Sequence, residues 1–301
     1  MRLIYATRKS ALALAQCRAV VARLQAIHPN IEFVEEQVVT SGDKIQDRPL
    51  ADIGGKGLFV KEIEERLLEG RAHFAVHSIK DVPGVIPAGL ALVCVPRRED
   101  PRDVLVAPRH GALAALPAGA TVGTTSLRRR VALEAARPDL NVVPLRGNVD
   151  TRLRKVDAGD VDAIVVARAG LVRLGLEARA TEVLEPDVSL PAVGQGALGL
   201  ETRAADDATR ACLAPLHDDE TGICVAAERG VMIAVEGDCR TPIAAYAVRA
   251  SGGTLHLRAF LAHPDGSGRR KTERTLPWPS SEADAAHFGR DVGHHLLAQI
   301  S

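Results

Sequence analysis

The chain has 301 residues, 46% hydrophobic and 25% charged, an ordinary globular composition at a length that calls for two or three domains rather than one core. Its 38 Lys and Arg residues balance 38 Asp and Glu residues, which argues against general affinity for nucleic acid or an acidic membrane, and 3% aromatics leave no stacking platform for single strands. Any anion binding has to come from local clustering of charge.

Strand-like and helix-like patterns alternate through the first two thirds. "LIYATR" reads as a strand, followed by a helix capped by Ser10 and running to about Ile27, then "IEFVEEQVVT" as a second strand. "ALALAQC" has a faint look of an export signal. Its apolar run is too short and Gln16 is not a small residue before Cys17, so the helix reading stands and a cytoplasmic location is expected. Phe59, Ile63 and Leu67 stand four apart in "GLFVKEIEERLLEG", an amphipathic helix ending at Gly70; "HFAVHS" and "LALVCVP" are further strands. No apolar run is long enough to span a bilayer.

Between Arg97 and Arg109, "RREDPRDVLVAPRH" marks a shift in composition that suits a crossing into a second domain. There "TVGTT", "NVVPLRG" and "AIVVARAG" read as strands separated by helices, one of which, "LRRRVALEAARP", is stopped by Pro138. Alternating units of this kind imply mainly parallel sheets with helices on both faces and a ligand at the carboxyl ends of the strands. From about Thr221 the pattern changes to a helix, the loop "DCRTP", two antiparallel strands, "IAAYAVRA" and "TLHLRAFLAH", and an amphipathic helix from about Ser281. This is a separate small α+β domain. No internal repeat is evident.

The loops at the strand ends share one chemistry. Arg8 and Ser10 follow the first strand; Ser78, Lys80 and Asp81 stand in "VHSIKDVP". Thr124, Ser126, Arg128 and Arg129 stand in "GTTSLRRR", Arg146 and Arg152 in "LRGNVDTR", and Arg168 and Arg173 in "ARAGLVRLG". Arginine's fork grips carboxylates or phosphates at two points, so five such clusters at equivalent topological places point to a ligand with several acidic groups. Thr124, Thr125 or Ser126 would cap the helix whose N-terminus carries the arginines. Asp81 is an acid among bases, either a surface ion pair with Lys80 or the general acid/base or counter-ion of the cleft.

Cys17, Cys94, Cys212, Cys224 and Cys239 are odd in number and form no CxxC pair, which suits neither a disulfide framework nor a zinc site. Four lie in strands or helices, where free cysteine behaves as a small buried hydrophobe, and Cys239 alone lies in a loop. His73 and His77 read as strand residues without a companion glutamate, and no metal site is expected.

Nine segments, in order, resemble the porphobilinogen deaminase (hydroxymethylbilane synthase) family: "ATRKSALAL", "GGKGLFVKEIE", "AVHSIKDVP", "EDPRD", "GTTSLRRR", "LRGNVDTR", "AGLVRLG", "LPAVGQGALG" and "EGDCRTPI". The resemblance implies a transferase that joins four porphobilinogen molecules head to tail with loss of ammonia and releases hydroxymethylbilane by hydrolysis. Each pyrrole carries an acetate and a propionate, so the growing chain is a polycarboxylate. The family builds it on a dipyrromethane cofactor held by a thioether, at the position of Cys239 here. Asp81 matches the aspartate that contacts pyrrole N–H groups and stabilises the cationic azafulvene formed when ammonia leaves. Lys80, Asp81, Arg128, Arg129 and Arg146, with Gly147 directly after Arg146, match cofactor-holding positions. Thr124 and Ser126 match hydroxyls that assist at the cofactor; Arg8, Arg152 and Arg173 match residues that hold substrate carboxylates, with Ser10 as their assisting hydroxyl. Replacing Arg128 or Arg129 is therefore expected to spare the fold and to block cofactor assembly or early chain growth. Lys9, Lys56, Arg130 and Arg168 receive no fixed role.

The implied fold is α/β: two doubly wound domains resembling periplasmic binding proteins, residues 1–97 with 198–216 and residues 98–197, and an α+β domain, residues 217–301, bearing the cysteine loop. The expected partner is the small-molecule substrate alone, with no nucleic acid, no membrane and a monomeric chain. The rival reading, a non-catalytic solute-binding protein of the same two-lobed shape, explains the arginines but leaves Asp81 and Cys239 idle.

Overall fold

The structure, a computed structural model, describes residues 1–44, 57, 59–237 and 241–300. Cys239 and Lys56 lie outside the described residues.

Strand β1 (Arg2–Arg8) leads into helix α1 (Ala11–Ile27), capped as expected by Ser10, whose hydroxyl accepts from the Ala13 amide at 3.3 Å. Then come β2 (Glu32–Val38), α2 (Lys61–Leu68), β3 (Phe74–Ser78) and β4 (Leu90–Cys94). A second run follows: β5 (Asp103–Val106), β6 (Thr121–Gly123), α3 (Leu127–Ala136), β7 (Asn141–Val143), α4 (Val149–Ala158), β8 (Ala163–Ala167), α5 (Arg168–Arg173) and β9 (Glu182–Leu184). Strand β10 (Leu198–Arg203) and α6 (Asp207–Leu213) complete this part. Strand β7 is shorter than "NVVPLRG" suggests, because Pro144 brings no N–H to a ladder and frees Leu145–Gly147 to turn away.

The first sheet runs β2-β1-β3-β10-β4 and the second β7-β6-β8-β5-β9. In each, the first three strands are parallel and the fourth lies antiparallel to its neighbours. The two sheets are thus topological repeats without an echo in the sequence. Each sends one strand to the other, since β5 follows β4 and β10 follows β9. Both sheets are doubly wound. In the first, α1 covers one face through Cys17, Val20 and Leu24, and α2 the other through Ile63 and Leu67. In the second, Leu133 of α3 and Leu153 and Val156 of α4 do the same.

The two crossing segments run side by side. The Glu99 amide donates to Gly196 O (3.2 Å) and Gln195 Nε2 to Pro101 O (2.6 Å). Gly196 has φ +87, and a Cβ there would come within 2.4 Å of Glu99 O, so only glycine lets the strands touch.

The remaining chain forms α7 (Asp219–Ala234), an antiparallel sheet of β11 (Ile243–Ala250), β12 (Thr254–Leu261) and β13 (Arg270–Pro277), and α8 (Glu282–Ile300). Both helices pack on one apolar face of that sheet. Helix α7 is tied to the rest through two neighbours. Buried Glu228 accepts from Arg98 (2.6 Å), the Gly194 amide (2.7 Å) and the Ala247 amide (2.9 Å). Arg229 donates to the carbonyls of Val82 (3.4 Å), Pro83 (2.9 Å) and Gly84 (3.1 Å).

Candidate functional site

A cleft of about 450 Å³ opens where the carboxyl ends of β1, β3, β6, β7 and β8 face one another. Its wall takes Arg8 and Ser10 from the β1 end and Ser78, Lys80 and Asp81 from β3 and the 3-10 turn after it. Thr125 and Arg129 come from the start of α3, Arg146, Gly147 and Arg152 from the β7–α4 loop, and Arg173 from α5. Lys9 lines it too. Among the described residues seven cationic side chains thus face two acidic ones, Asp81 and Asp150, so the cleft selects anions although the whole chain is neutral.

The cations differ in how they are held. Arg146 has no hydrogen-bond partner among the described residues, and its Nη1 is buried. Arg152 donates to Gly147 O at 2.8 Å, and burial, with Arg129 and Arg146 nearby, lowers its pKa to about 10. Gly147 has φ +119, and a Cβ there would strike Thr151 at 2.7 Å, so this glycine lets the loop close under Arg152. Arg173 donates to Gly196 O at 2.6 Å, fixing it to the crossing strand, and Arg8 stacks 4.2 Å from the Phe59 ring centre. Lys80 keeps contact with the water of the cleft, but the walls crowd it, and this loss of solvation lowers its pKa to about 8, with Asp81 opposing and Arg129 assisting. Its charge is therefore shed as pH rises through about 8. No described side chain hydrogen-bonds or ion-pairs with the Asp81 carboxylate.

Three residues of the expected set are not on the cleft wall, and one is only partly free. Ser126 caps α3 by accepting from the Arg129 amide (3.4 Å), and Thr124, 4% exposed, accepts from the Ser126 amide (3.2 Å). Both hydroxyls are spent on the turn. Arg128 is turned into the interior, bonded to Asp103 (2.8 Å), Ser189 (3.3 Å) and Leu190 O (2.6 Å). Arg129 reaches the cleft wall while binding the other Asp103 oxygen at 2.7 Å. Burial would raise Asp103, yet the two guanidiniums override it and hold the carboxyl far below the usual range. Sequence reasoning passed over Asp103 because its partners lie 25 and 26 residues away; the "EDPRD" segment was its only trace. Gln195, donating to Asp103 at 2.9 Å, and Gln16, donating to Ser78 at 3.0 Å on the cleft wall, were likewise not singled out. Arg168 pairs with Asp100 (3.0 Å), and Arg130 donates to Pro264 O (2.7 Å).

The Arg128 geometry argues against the expectation that its loss spares the fold. Arg128→Leu strips one of two cations from a carboxylate with no exposure and should cost about 3–5 kcal/mol of stability. Arg146→Leu removes a group with no described partner and should leave the melting temperature unchanged while weakening anion binding. Thermal unfolding of the two variants checks this, and equal melting temperatures would remove the distinction.

The model described as "Porphobilinogen deaminase, dipyromethane cofactor binding domain" matches residues 3–211, and that for the "Porphobilinogen deaminase, C-terminal domain" matches residues 222–298. The chain belongs to the porphobilinogen deaminase family. The porphobilinogen deaminase of Sorangium cellulosum is 64% identical over 98% of each chain, and that of Syntrophotalea carbinolica 51% over 97% of this chain and 91% of its own. Among solved structures, a TRAP periplasmic solute binding protein from Desulfovibrio salexigens aligns with a TM-score of 0.43 at 12% identity, over 72% of either chain. Membership makes the chain an enzyme of tetrapyrrole biosynthesis, with a dipyrromethane carried on a cysteine. The cleft suits such a polycarboxylate: among the described residues its cations outnumber its acids, and the buried Arg146 Nη1 has no acceptor.

Proposed function

We propose that this cleft is where the enzyme joins four porphobilinogen molecules head to tail, with loss of ammonia, before hydrolysis releases hydroxymethylbilane. The observation that carries the reading is the convergence of seven cations around Asp81, a carboxylate with no described partner. The cofactor, when bound through Cys239, supplies the primer end from which the chain grows. The protein's own residues do the rest. Arg146 and Lys80 hold cofactor carboxylates, and Arg129 does so from a base fixed by Asp103. Arg8, Arg152 and Arg173 grip substrate carboxylates, with Ser10 fixing the turn that carries Arg8. Thr124, Ser126 and Arg128 act one step back, keeping Arg129 and the helix N-terminus in place, and Gly147 gives Arg152 its backbone anchor. Asp81 accepts pyrrole N–H groups and balances the positive charge that develops as the carbon–nitrogen bond breaks.

Three units underlie this work: residues 1–97 with 198–216, residues 98–197, and residues 217–301, the last carrying the cysteine loop. The enzyme works as a cytoplasmic monomer on a small-molecule substrate, without nucleic acid or membrane. Among the described residues no helix is long and apolar enough to cross a membrane. The test is direct: purified enzyme given porphobilinogen should release one ammonia per molecule consumed and a linear tetrapyrrole. Binding without ammonia release would favour a solute-binding role and sink the proposal.

A further inference from the structure

Behind the cleft, the first sheet holds three titratable groups that the chemistry above does not use. Side chains alternate along β3, so Ala75 and His77 share the face covered by α2. Glu201 of β10 stands opposite Ala75 and hence diagonal to His77, and its Oε2 lies 2.8 Å from His77 Nε2. Glu64 comes down from α2 between Ile63 and Leu67. The three are 5%, 1% and 7% exposed, inside a layer otherwise built from Ala6, Ile63, Leu67 and Ala75. The second carboxylate oxygen of Glu201 is buried without a hydrogen-bond partner. Burial pushes Glu64 up to about 7, with Glu201 adding and His77 opposing. Ionisable groups are costly in such a layer.

The cluster reaches the cleft. His77 lines a side pocket of about 30 Å³, room for a water, whose wall also holds Arg8, Gln16, Phe59, Ser78 and Asp81. Those five residues line the main cleft as well. We propose that His77, Glu201 and Glu64 are a proton store for the condensation, exchanging one proton per cycle with Asp81 through water in the side pocket. The proposal rests on the reading of the cleft given above.

The balance is simple. The aminomethyl carbon of a protonated porphobilinogen loses ammonia, and the electron pair of the carbon–nitrogen bond leaves with nitrogen. A carbon–carbon bond forms to a pyrrole ring carbon, whose C–H bond then breaks, its electrons restoring the aromatic ring and its proton passing to Asp81. Asp81 hands that proton through water to His77, whose imidazolium is held by Glu201, and Glu64 shares it. Asp81 is a carboxylate again for the next substrate, and the ammonia freed from that substrate takes up the stored proton and leaves as ammonium, so each cycle stores one proton and releases one. The other charges around the cluster are Glu65 beside Glu64, Arg229 of α7 near Glu201, and Arg8 and Asp81 across the pocket.

The test uses holoenzyme and porphobilinogen deuterated at the ring carbon that loses hydrogen. His77→Gln and Glu64→Gln should carry the full cofactor mass yet turn over about 10- to 100-fold more slowly, as expected when a proton-transfer partner is lost. The deuterium effect on turnover should rise in both, and the pH profile should lose its inflection near 7. As a readout apart from turnover, the ¹⁵N resonances of His77 should shift in Glu64→Gln. A slower variant with an unchanged isotope effect and pH profile would make the cluster structural and overturn the proposal. Should His77→Gln fail to fold, Glu64→Gln decides alone. If the parent enzyme releases no ammonia, the cleft reading itself fails; if it turns over and the variants match its profiles, only the proton store fails.

Discussion

Asp81→Asn is expected to lower kcat on the order of 100- to 1,000-fold, the scale seen when one electrostatic partner of a developing charge is removed. Asparagine keeps the volume and an oxygen for pyrrole N–H groups but removes the negative charge that the β3 turn places among Arg8, Lys80, Arg129, Arg146, Arg152 and Arg173. The fold should be untouched, because no described partner loses a bond and Arg229 still clamps the carbonyls of Val82, Pro83 and Gly84. KM should change far less than kcat, since the carboxylate-binding arginines remain. A second signature follows from Lys80. Asp81 helps keep that ammonium charged, so without it the pKa of Lys80 should fall below about 8 and the alkaline loss of activity should begin at lower pH. Near-normal kcat with an unshifted alkaline limb would remove Asp81 from the chemistry.

The contrast between Asp81 and Asp103 shows which parts of the site can be seen without coordinates. Asp81 was visible because it sits in a loop directly after an apolar strand, among residues that have no reason to be polar for packing. Asp103 opens a strand and reads as a charge at a domain crossing. Only the fold brings it beside Arg128 and Arg129 and reveals that two of the three "LRRR" arginines are engaged by an internal carboxylate. The fold divides in the same way. Helix α1 was legible from Ser10 to Ile27 because its cap and apolar face are local. The insertion of β10 between β3 and β4 was not, because it depends on pairings more than a hundred residues apart. Strand β13 escaped for another reason: "RKTERTLP" is an edge strand exposed along most of its length, so it carries no alternation to detect. The His77–Glu201 pair combines both difficulties, a partner 124 residues away and a strand in which polar residues were read as ordinary.

The arginine pair also ties the site to the strands that join the two sheets. Asp103 is reached from α3 by two guanidiniums and from the crossing strand by Gln195, which in turn holds Pro101 O. The charge that keeps Arg129 aimed at the cleft is therefore fixed to the same pair of strands that joins the two sheets. A change at Asp103 would alter both the anchor of Arg129 and the register of the crossing, which is why Arg128→Leu should report on stability before it reports on binding.

Cys239→Ser should abolish both cofactor attachment and turnover, and the reason lies in the other four cysteines. A thioether forms when sulfur attacks an electrophilic carbon, and only the thiolate attacks well. Cys17, Cys94, Cys212 and Cys224 are all buried. Burial pushes the Cys17, Cys94 and Cys224 thiols up to about 12 and raises Cys212 as well, so at neutral pH each is a packed thiol with almost no nucleophilic form. Each also sits inside a core, where a two-ring adduct has no room. Cys239 follows α7, the helix whose Arg229 is bonded to the loop after Asp81, and it stands in the sequence "GDCRTP" before β11. The parent protein should therefore be heavier than its sequence by one dipyrromethane unit, and that mass should survive denaturation and thiol reductant, since a thioether is not a disulfide. Peptide mapping should place the adduct on the "GDCRTP" peptide, while Cys239→Ser should show the bare sequence mass, an unchanged melting temperature and no ammonia release. An adduct on any of the four buried cysteines, or an active enzyme at its bare mass, would overturn the assignment.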